Sequence, residues 1–167
     1  RFNPIVTRLK EILDAKRVGR ITSVSIKRLG IYPPKTQGNN VIIDLAVHDI
    51  DILNYLLGKQ PTEVQGHGGK ALQSKSLDYA DLLLKYGAVS CSIQVNWLTP
   101  VKIRNLTVTG TEGYLECDYI NQRITIYKNN KQINFDNFGE AVIRFGNPGK
   151  EIINVQMEEP LKRELKA

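Results

Sequence analysis

The sequence predicts an α+β domain: a largely antiparallel sheet of about six to eight strands, covered by helices on one face and partly open on the other. Three observations carry that expectation. The stretch Val41–Gly58, VIIDLAVHDIDILNYLLG, reads as one helix that is apolar almost all the way round. Residues 79–86 and 88–98 read as a hairpin around Gly87, and in its second strand Val89, Cys91, Ile93, Val95 and Trp97 alternate with Ser90, Ser92, Gln94 and Asn96, the period of a sheet with one greasy face. The segments run helix, strand, buried helix, and then a long succession of strands joined mostly by short turns. A chain of 167 residues, 41% hydrophobic and 24% charged, is long enough to close one core.

Asn3 and Pro4 make an N-cap and N1 pair, and Ile5, Leu9, Ile12 and Leu13 supply a helical stripe to about Ala15 before Gly19 ends it. Arg20–Leu29 predicts a strand with Val24, Ile26 and Arg28 on one face and Ser23, Ser25 and Lys27 on the other. Val6 and Val18 are further apolar residues that the periodicity does not assign to the core. Residues 30–40, GIYPPKTQGNN, form a loop stiffened by Pro33 and Pro34, joining the Arg28 strand directly to the long helix. Gly38, Asn39 and Asn40 offer turn and cap chemistry before that helix, and Gly58 suits the C′ position after it.

Pro61–Gly66 predicts a strand, and Gly66–Gly69 a flexible bend in which His67 faces solvent. Tyr79–Tyr86 pairs with Ala88–Leu98 around Gly87, and Lys102–Thr109 with Tyr114–Tyr119 across Gly110–Gly113. Arg123–Lys128 and Gln132–Phe135 are further strands. Phe138–Lys150 is glycine-rich and reads as irregular, Glu151–Met157 as a last strand, and Leu161–Lys166 as a helix barely two turns long. That short helix, and an opening on Arg1 in a chain whose sole methionine is Met157, lead us to expect a fragment or a processed product.

A net charge of +6 allows a polyanionic partner. The basic residues are scattered, however, and no familiar DNA- or RNA-binding motif accompanies them, so we expect a solvated basic surface, compatible with an anionic substrate, and no nucleic acid. No apolar run reaches about 18 residues, so no membrane span is expected. No signal peptide is evident. Cys91 and Cys117 are isolated and follow no CxxC pattern, as for buried thiols of a cytoplasmic protein. No GxGxxG follows a strand and opens a helix; Gly110-Thr111-Glu112-Gly113 lies between two strand patterns and reads as a hairpin turn. Walker, GxSxG and HExxH patterns are absent, so the chain shows no nucleotide-binding element of its own.

The candidate site lies on the long helix. Asp44, His48, Asp51 and Tyr55 fall within an arc of roughly 60°, interrupted by none of the aliphatic residues that cover the remainder. A buried carboxylate costs several kcal/mol unless paired or hydrogen-bonded, so such a seam should face a wet cavity or a polar partner. Asp44 and His48, one turn apart, can act on the same small molecule. The same spacing also describes a helix-stabilising pair, and Asp44 alone would suit a helix N-terminus. Asp49 and Asn54 break the apolar surface elsewhere. Arg28, in register with an apolar face near a strand end, points toward the helix or else snorkels at the sheet edge. Tyr32 and Lys35 are candidate contacts from the loop. A metal reading of Asp44, His48 and Asp51 lacks the usual nitrogen ligands for zinc, and no metal is expected.

Five stretches together carry a family resemblance: RFNP at the start, RLGIYPPK at 28–35, VIIDLAVHDIDILNYLLG at 41–58, NWLTP at 96–100 and VTGTEGYLECDY at 108–119. The chain resembles the Gfo/Idh/MocA oxidoreductases, the glucose-fructose oxidoreductase and inositol dehydrogenase relatives, and most of all those acting on UDP-N-acetyl sugars. The resemblance implies that residues 1–167 form the α+β C-terminal domain, similar to that of dihydrodipicolinate reductase. Such a domain binds substrate and forms a homo-oligomer through its open sheet, and the N-terminal Rossmann domain is absent from this chain. It implies an NAD- or NADP-dependent dehydrogenase that oxidises a ring hydroxyl of a sugar or nucleotide sugar to a ketone. The family's D-x-x-x-H motif falls on Asp44 and His48 as catalytic residues, with Arg28, Tyr32, Lys35 and Asp51 holding substrate. The family's E-K-P lysine and dinucleotide loop have no counterpart, so the domain alone is expected to bind no cofactor and to be inactive. The alternative is a non-catalytic sugar-binding or assembly module with the same fold.

Overall fold

A computed structural model describes residues 3–31, 40–72, 75–128, 131–135, 141–145 and 149–156. Helix α1 (Pro4–Asp14) starts where the cap chemistry places it: Asn3 Oδ1 accepts from the Ile5 amide at 3.1 Å, and Pro4 occupies the first turn, where no amide donor is needed. Its stripe is buried, and it is wider than the sequence suggested, because Val6 is fully enclosed too, as is Val18 beyond the helix.

Strand β1 (Ile21–Ile31) is followed by the long helix, which opens with a π-helical turn (Ile42–Ala46) and continues as α2 (Val47–Leu57). Asn40 caps it, its Oδ1 accepting from the Ile43 amide at 3.0 Å and its carbonyl from the Asp44 amide at 3.0 Å. Gly58 ends it in the left-handed conformation at φ 66°, with its amide on the Asn54 carbonyl. Nine more strands follow among the described residues: β2 (Glu63–Gly69), β3 (Tyr79–Tyr86), β4 (Val89–Asn96), β5 (Leu98–Gly110), β6 (Gly113–Asp118), β7 (Arg123–Lys128), β8 (Lys131–Phe135), β9 (Ala141–Phe145) and β10 (Gly149–Asn154).

Eight strands make one open mixed sheet in the order β10-β7-β6-β5-β1-β4-β3-β2, and β8 and β9 pair separately. All its pairs are antiparallel except β1 with β4. The register explains the core. Ile126, Leu115, Val108, Val24, Cys91 and Leu84 lie in one row across the sheet, and Ile124, Cys117, Leu106, Ile26, Ile93 and Leu82 in the next. All twelve are buried on the face that α1 and α2 cover. Burying such a side chain is worth about 1.5–3 kcal/mol, so these rows are the main hold between sheet and helices. The other face carries short polar residues: Ser23, Ser25 and Lys27 stand beside Ser90, Ser92 and Gln94, and Ser92 Oγ donates to Ser25 Oγ at 2.9 Å.

Two expectations need correction. The glycines at 66–69 do not make a bend: β2 runs through Gly69, with His67 exposed opposite Asp81. These glycines leave room for neighbours. A Cβ on Gly66 would stand 2.8 Å from Leu82 Cδ2, and one on Gly69 would run into the Tyr79 ring. Residues 138–150 are not wholly irregular either. Within them Ala141–Phe145 pairs with β8 as β9, because five strand-forming residues flanked by glycines pair locally, and β10 starts at Gly149. The predicted closing helix at 161–166 lies outside the described residues.

Candidate active site

The C-terminal end of β1 and the first turns of the long helix come together, and the helix start is tied to the sheet: the Val41 amide donates to the Leu77 carbonyl at 3.0 Å, just before β3. On the helix, Asp44 sits within the π-turn, where the Val47 amide reaches back five residues to the Ile42 carbonyl. Such widened turns re-aim side chains and are frequent at functional sites. Asp44 and Tyr55 are half-buried, while His48 and Asp51 are exposed. The predicted seam therefore lines an accessible face. Tyr32 and Lys35 lie outside the described residues.

The buried carboxylate of this helix is Asp49, at 0% exposure. Arg28 reaches it from β1: Nε donates to Oδ2 at 2.9 Å and to Oδ1 at 3.0 Å, and Nη2 donates to Oδ1 at 2.5 Å. Arg28 thus points at the helix, as its register with Val24 and Ile26 predicts, and the sheet-edge alternative does not hold. The edge it presents is taken up by Asp49, which in the sequence shows only as a break in the apolar surface. Asn54, the other such break, is likewise met from the sheet, accepting from Tyr86 Oη at 2.8 Å.

Register brings two more polar residues beside this pair. Arg104 on β5 is the cross-strand partner of Arg28, and the Tyr119 amide donates to the Arg104 carbonyl at 3.0 Å. Tyr119, Arg104, Arg28, Val95 and Ala80 consequently form the row that follows the two apolar ones. Arg104 Nη1 donates to the carbonyls of Leu29 at 2.5 Å and Ile103 at 2.8 Å. Both residues are detectable in principle: stepping back by twos from Val108 and Leu106 puts Arg104 on the covered face, and stepping on from Cys117 puts Tyr119 there.

The electrostatics follow from this crowding. Burial pulls the Arg28 pKa down, but the bonds and charge of Asp49 outweigh it, with help from Asp44, so the guanidinium is held above its ordinary value. For Arg104, burial and then the charge of Arg28 lower the pKa, opposed by Asp49 and Asp44. Burial pushes the Tyr119 phenol well up. Its hydroxyl is enclosed and has no hydrogen-bond partner among the described residues. Asp44 thus acts electrostatically on both guanidiniums while standing nearer the surface than Asp49.

A match to the GFO/IDH/MocA C-terminal domain covers residues 6–116. The chain belongs to this family. Inositol 2-dehydrogenase 2 of Saccharopolyspora erythraea is 37% identical over 68 residues, 40% of the chain and 20% of that enzyme. UDP-N-acetylglucosamine 3-dehydrogenase of Acidithiobacillus ferrooxidans is 26% identical over 102 residues, 60% of the chain and 32% of that enzyme. The solved structure of that species' enzyme superposes with a TM-score of 0.74 at 18% identity, over 97% of the chain and 49% of that protein. The WlbA dehydrogenase of Bordetella pertussis, solved with NADH and UDP-GlcNAcA, matches with a TM-score of 0.58 at 22% identity over 68% of the chain and 37% of that protein. The chain spans no more than about half the length of these relatives. Its family is one of sugar and nucleotide-sugar dehydrogenases, and the open mixed sheet with two helices is the family's α+β fold.

Gly110–Gly113 joins the antiparallel strands β5 and β6, and its Thr111 and Glu112 amides donate to the Arg20 and Val18 carbonyls at 3.0 Å, so it forms a hairpin turn and not a helix N-terminus. No described helix is long and apolar enough to cross a membrane. Both cysteines are free and buried.

Proposed function

We propose that this domain is the substrate-binding half of a sugar or nucleotide-sugar dehydrogenase, with Asp44 and His48 as its reacting pair. The observation that carries this is the contrast on one helix: Asp49 is sequestered and paired, whereas Asp44 and His48, one turn apart, stand at an accessible face. Oxidation of a carbinol requires a hydride acceptor, and NAD(P) supplies that chemistry from a dinucleotide-binding domain outside these residues. The chain's own residues handle the proton. The exposed imidazole of His48 takes it from the substrate hydroxyl, a role suited to a ring nitrogen that can accept a proton. Asp44 accepts a hydrogen bond from that hydroxyl or from the imidazole and fixes its direction.

Arg28 contributes through its Nη1 end, which makes no hydrogen bond to a described residue, and Tyr32, Lys35 and Asp51 complete the substrate contacts. Positive charge here suits an anionic sugar or a nucleotide-sugar phosphate. Ile43 and Val47 are 57% and 46% exposed beside the pair, an apolar surface suited to the dinucleotide-binding domain. The short polar residues of the open sheet face, Ser25 and Ser92 among them, suit packing against a second copy.

The test is an assay of the complete enzyme with NAD or NADP and a panel of inositols and UDP-N-acetyl sugars. Formation of reduced cofactor together with a ketone product is expected. Binding of a panel member with no turnover by either cofactor would favour a sugar-binding module and overturn the proposal. The isolated chain should show no micromolar affinity for NAD in a calorimetric titration.

A further inference from the structure

The underside of α2 buries Ile52, Leu53 and Leu56 and meets the sheet through two polar contacts, the ion pair of Asp49 with Arg28 and the hydrogen bond from Tyr86 Oη to Asn54 Oδ1 at 2.8 Å. Aliphatic contacts are non-directional, so they press the helix down without fixing its rotation about its own axis. A guanidinium–carboxylate fork is directional and planar. Here its two ends stand on the elements whose relative setting matters, β1 and α2. Arg28 is itself constrained. Its cross-strand neighbour is Arg104, whose Nη1 is fastened to the Leu29 and Ile103 carbonyls, and its other neighbour in the row is the apolar Val95. Immediately before the fork lies the π-turn carrying Asp44, a segment with poorer hydrogen-bond geometry than an α-helix. The side chain next to Asp49 is His48.

We propose that Asp49 is a positioning residue: by its forked bond to Arg28 it fixes the roll of α2 on the sheet and so aims His48 and Asp44 at the substrate. The proposal rests on reading Asp44 and His48 as the reacting pair. Side chains on a helix lie about 5–6 Å from its axis, so a roll of about 10° moves their tips about 1 Å. A misplacement of that size costs a reaction about 100-fold. The aliphatic contacts alone would tolerate such a roll, and the single neutral Tyr86–Asn54 bond, five residues beyond Asp49, resists it less than the charged fork does.

The test uses the complete enzyme and three variants. Asp49→Asn keeps the shape and removes the charge that holds the fork. Arg28→Met/Asp49→Leu replaces both partners by apolar groups, a change that is commonly neutral or stabilising for a buried pair. His48→Ala is the reference. We expect Asp49→Asn to lower kcat 10- to 100-fold, with KM for NAD(P) unchanged and the protein folded well above the assay temperature. The double variant should regain the wild-type melting temperature without regaining kcat; any loss of an Arg28 substrate contact adds to KM for the sugar. Recovery of kcat together with stability in the double variant would make the pair merely structural and overturn the proposal. Wild-type kcat in Asp49→Asn would also overturn it. If His48→Ala is inactive while the other variants turn over normally, only the positioning role falls. If His48→Ala is fully active, the reacting pair falls and the positioning role with it.

Discussion

Arg28→Met should be among the most destabilising single changes available in the chain. The Arg28 side chain is 20% exposed and Asp49 is 0% exposed, and three hydrogen bonds run from the Arg28 guanidinium to the carboxylate. Met fills the aliphatic stem of the arginine but leaves the carboxylate enclosed without its cation. Removing one partner of a buried pair costs about 3–5 kcal/mol, most of it the cost of the stranded charge. The partial exposure of Arg28 gives water some access and favours the lower end. For a domain of this size each kcal/mol lowers the melting temperature by about 2–4 °C, so a value of about 3 kcal/mol predicts a fall of about 6–12 °C. Thermal unfolding followed by circular dichroism and calorimetry gives the number, provided that the two transitions coincide. A full cycle with Asp49→Leu and the double variant should give a coupling energy of about 2–3 kcal/mol. Melting of Arg28→Met within about 1 °C of wild type, or a coupling energy near zero, would refute the reasoning. Asp49 would then be solvated well enough to need no partner.

Three further outcomes follow from other parts of the fold. Burial pushes the Cys91 thiol from an ordinary 9.0 to about 11 and the Tyr86 phenol from 10.0 to about 12. Their contribution to stability is therefore complete below about pH 9 and is lost as pH rises through 11 to 12; a chemical-denaturation midpoint that stays flat across that window would contradict it. Gly110→Ala would drive a Cβ into the Val18 carbonyl oxygen, a backbone atom that cannot rotate away. It should cost about 1–3 kcal/mol or more by denaturant titration, and a neutral result would mean that β5 shifts freely at its end. If the open sheet face joins two copies, Ser92→Arg should dissociate them in sedimentation runs at several concentrations while leaving the monomer's melting temperature nearly unchanged. An unaltered oligomer would place the interface elsewhere.

The sheet was legible because its two faces differ in chemistry. Cys91, Ile93 and Val95 against Ser90, Ser92 and Gln94 leave only one way to lay the strand, and Gly87 and Gly58 mark a turn and a helix end that their positive φ values require. Glycine misled where it served packing: Gly66 and Gly69 make room for Leu82 and Tyr79 inside a strand, and the same residue type in a sequence suggests a bend. Of the candidate site, the shared face of Asp44 and His48 was legible because helical spacing is local. Asp49 was not, since its meaning depends on a partner 21 residues away on another element. Its signal was present in Arg28, a charged residue in step with Val24 and Ile26, which needed a counter-charge on whatever covered that face. Arg104 and Tyr119 were hidden in the same way, by strands read for their turns rather than for the parity of each residue.

The most direct test of the whole account is the pH dependence of kcat/KM for the complete enzyme, measured for wild type, Asp44→Asn and His48→Ala. A general base of this kind contributes about 100-fold or more. His48→Ala should therefore fall by at least that factor at the wild-type optimum, and Asp44→Asn should fall there too. A His48→Ala enzyme with the turnover and pH profile of the wild type would remove the imidazole from the reaction and contradict the account.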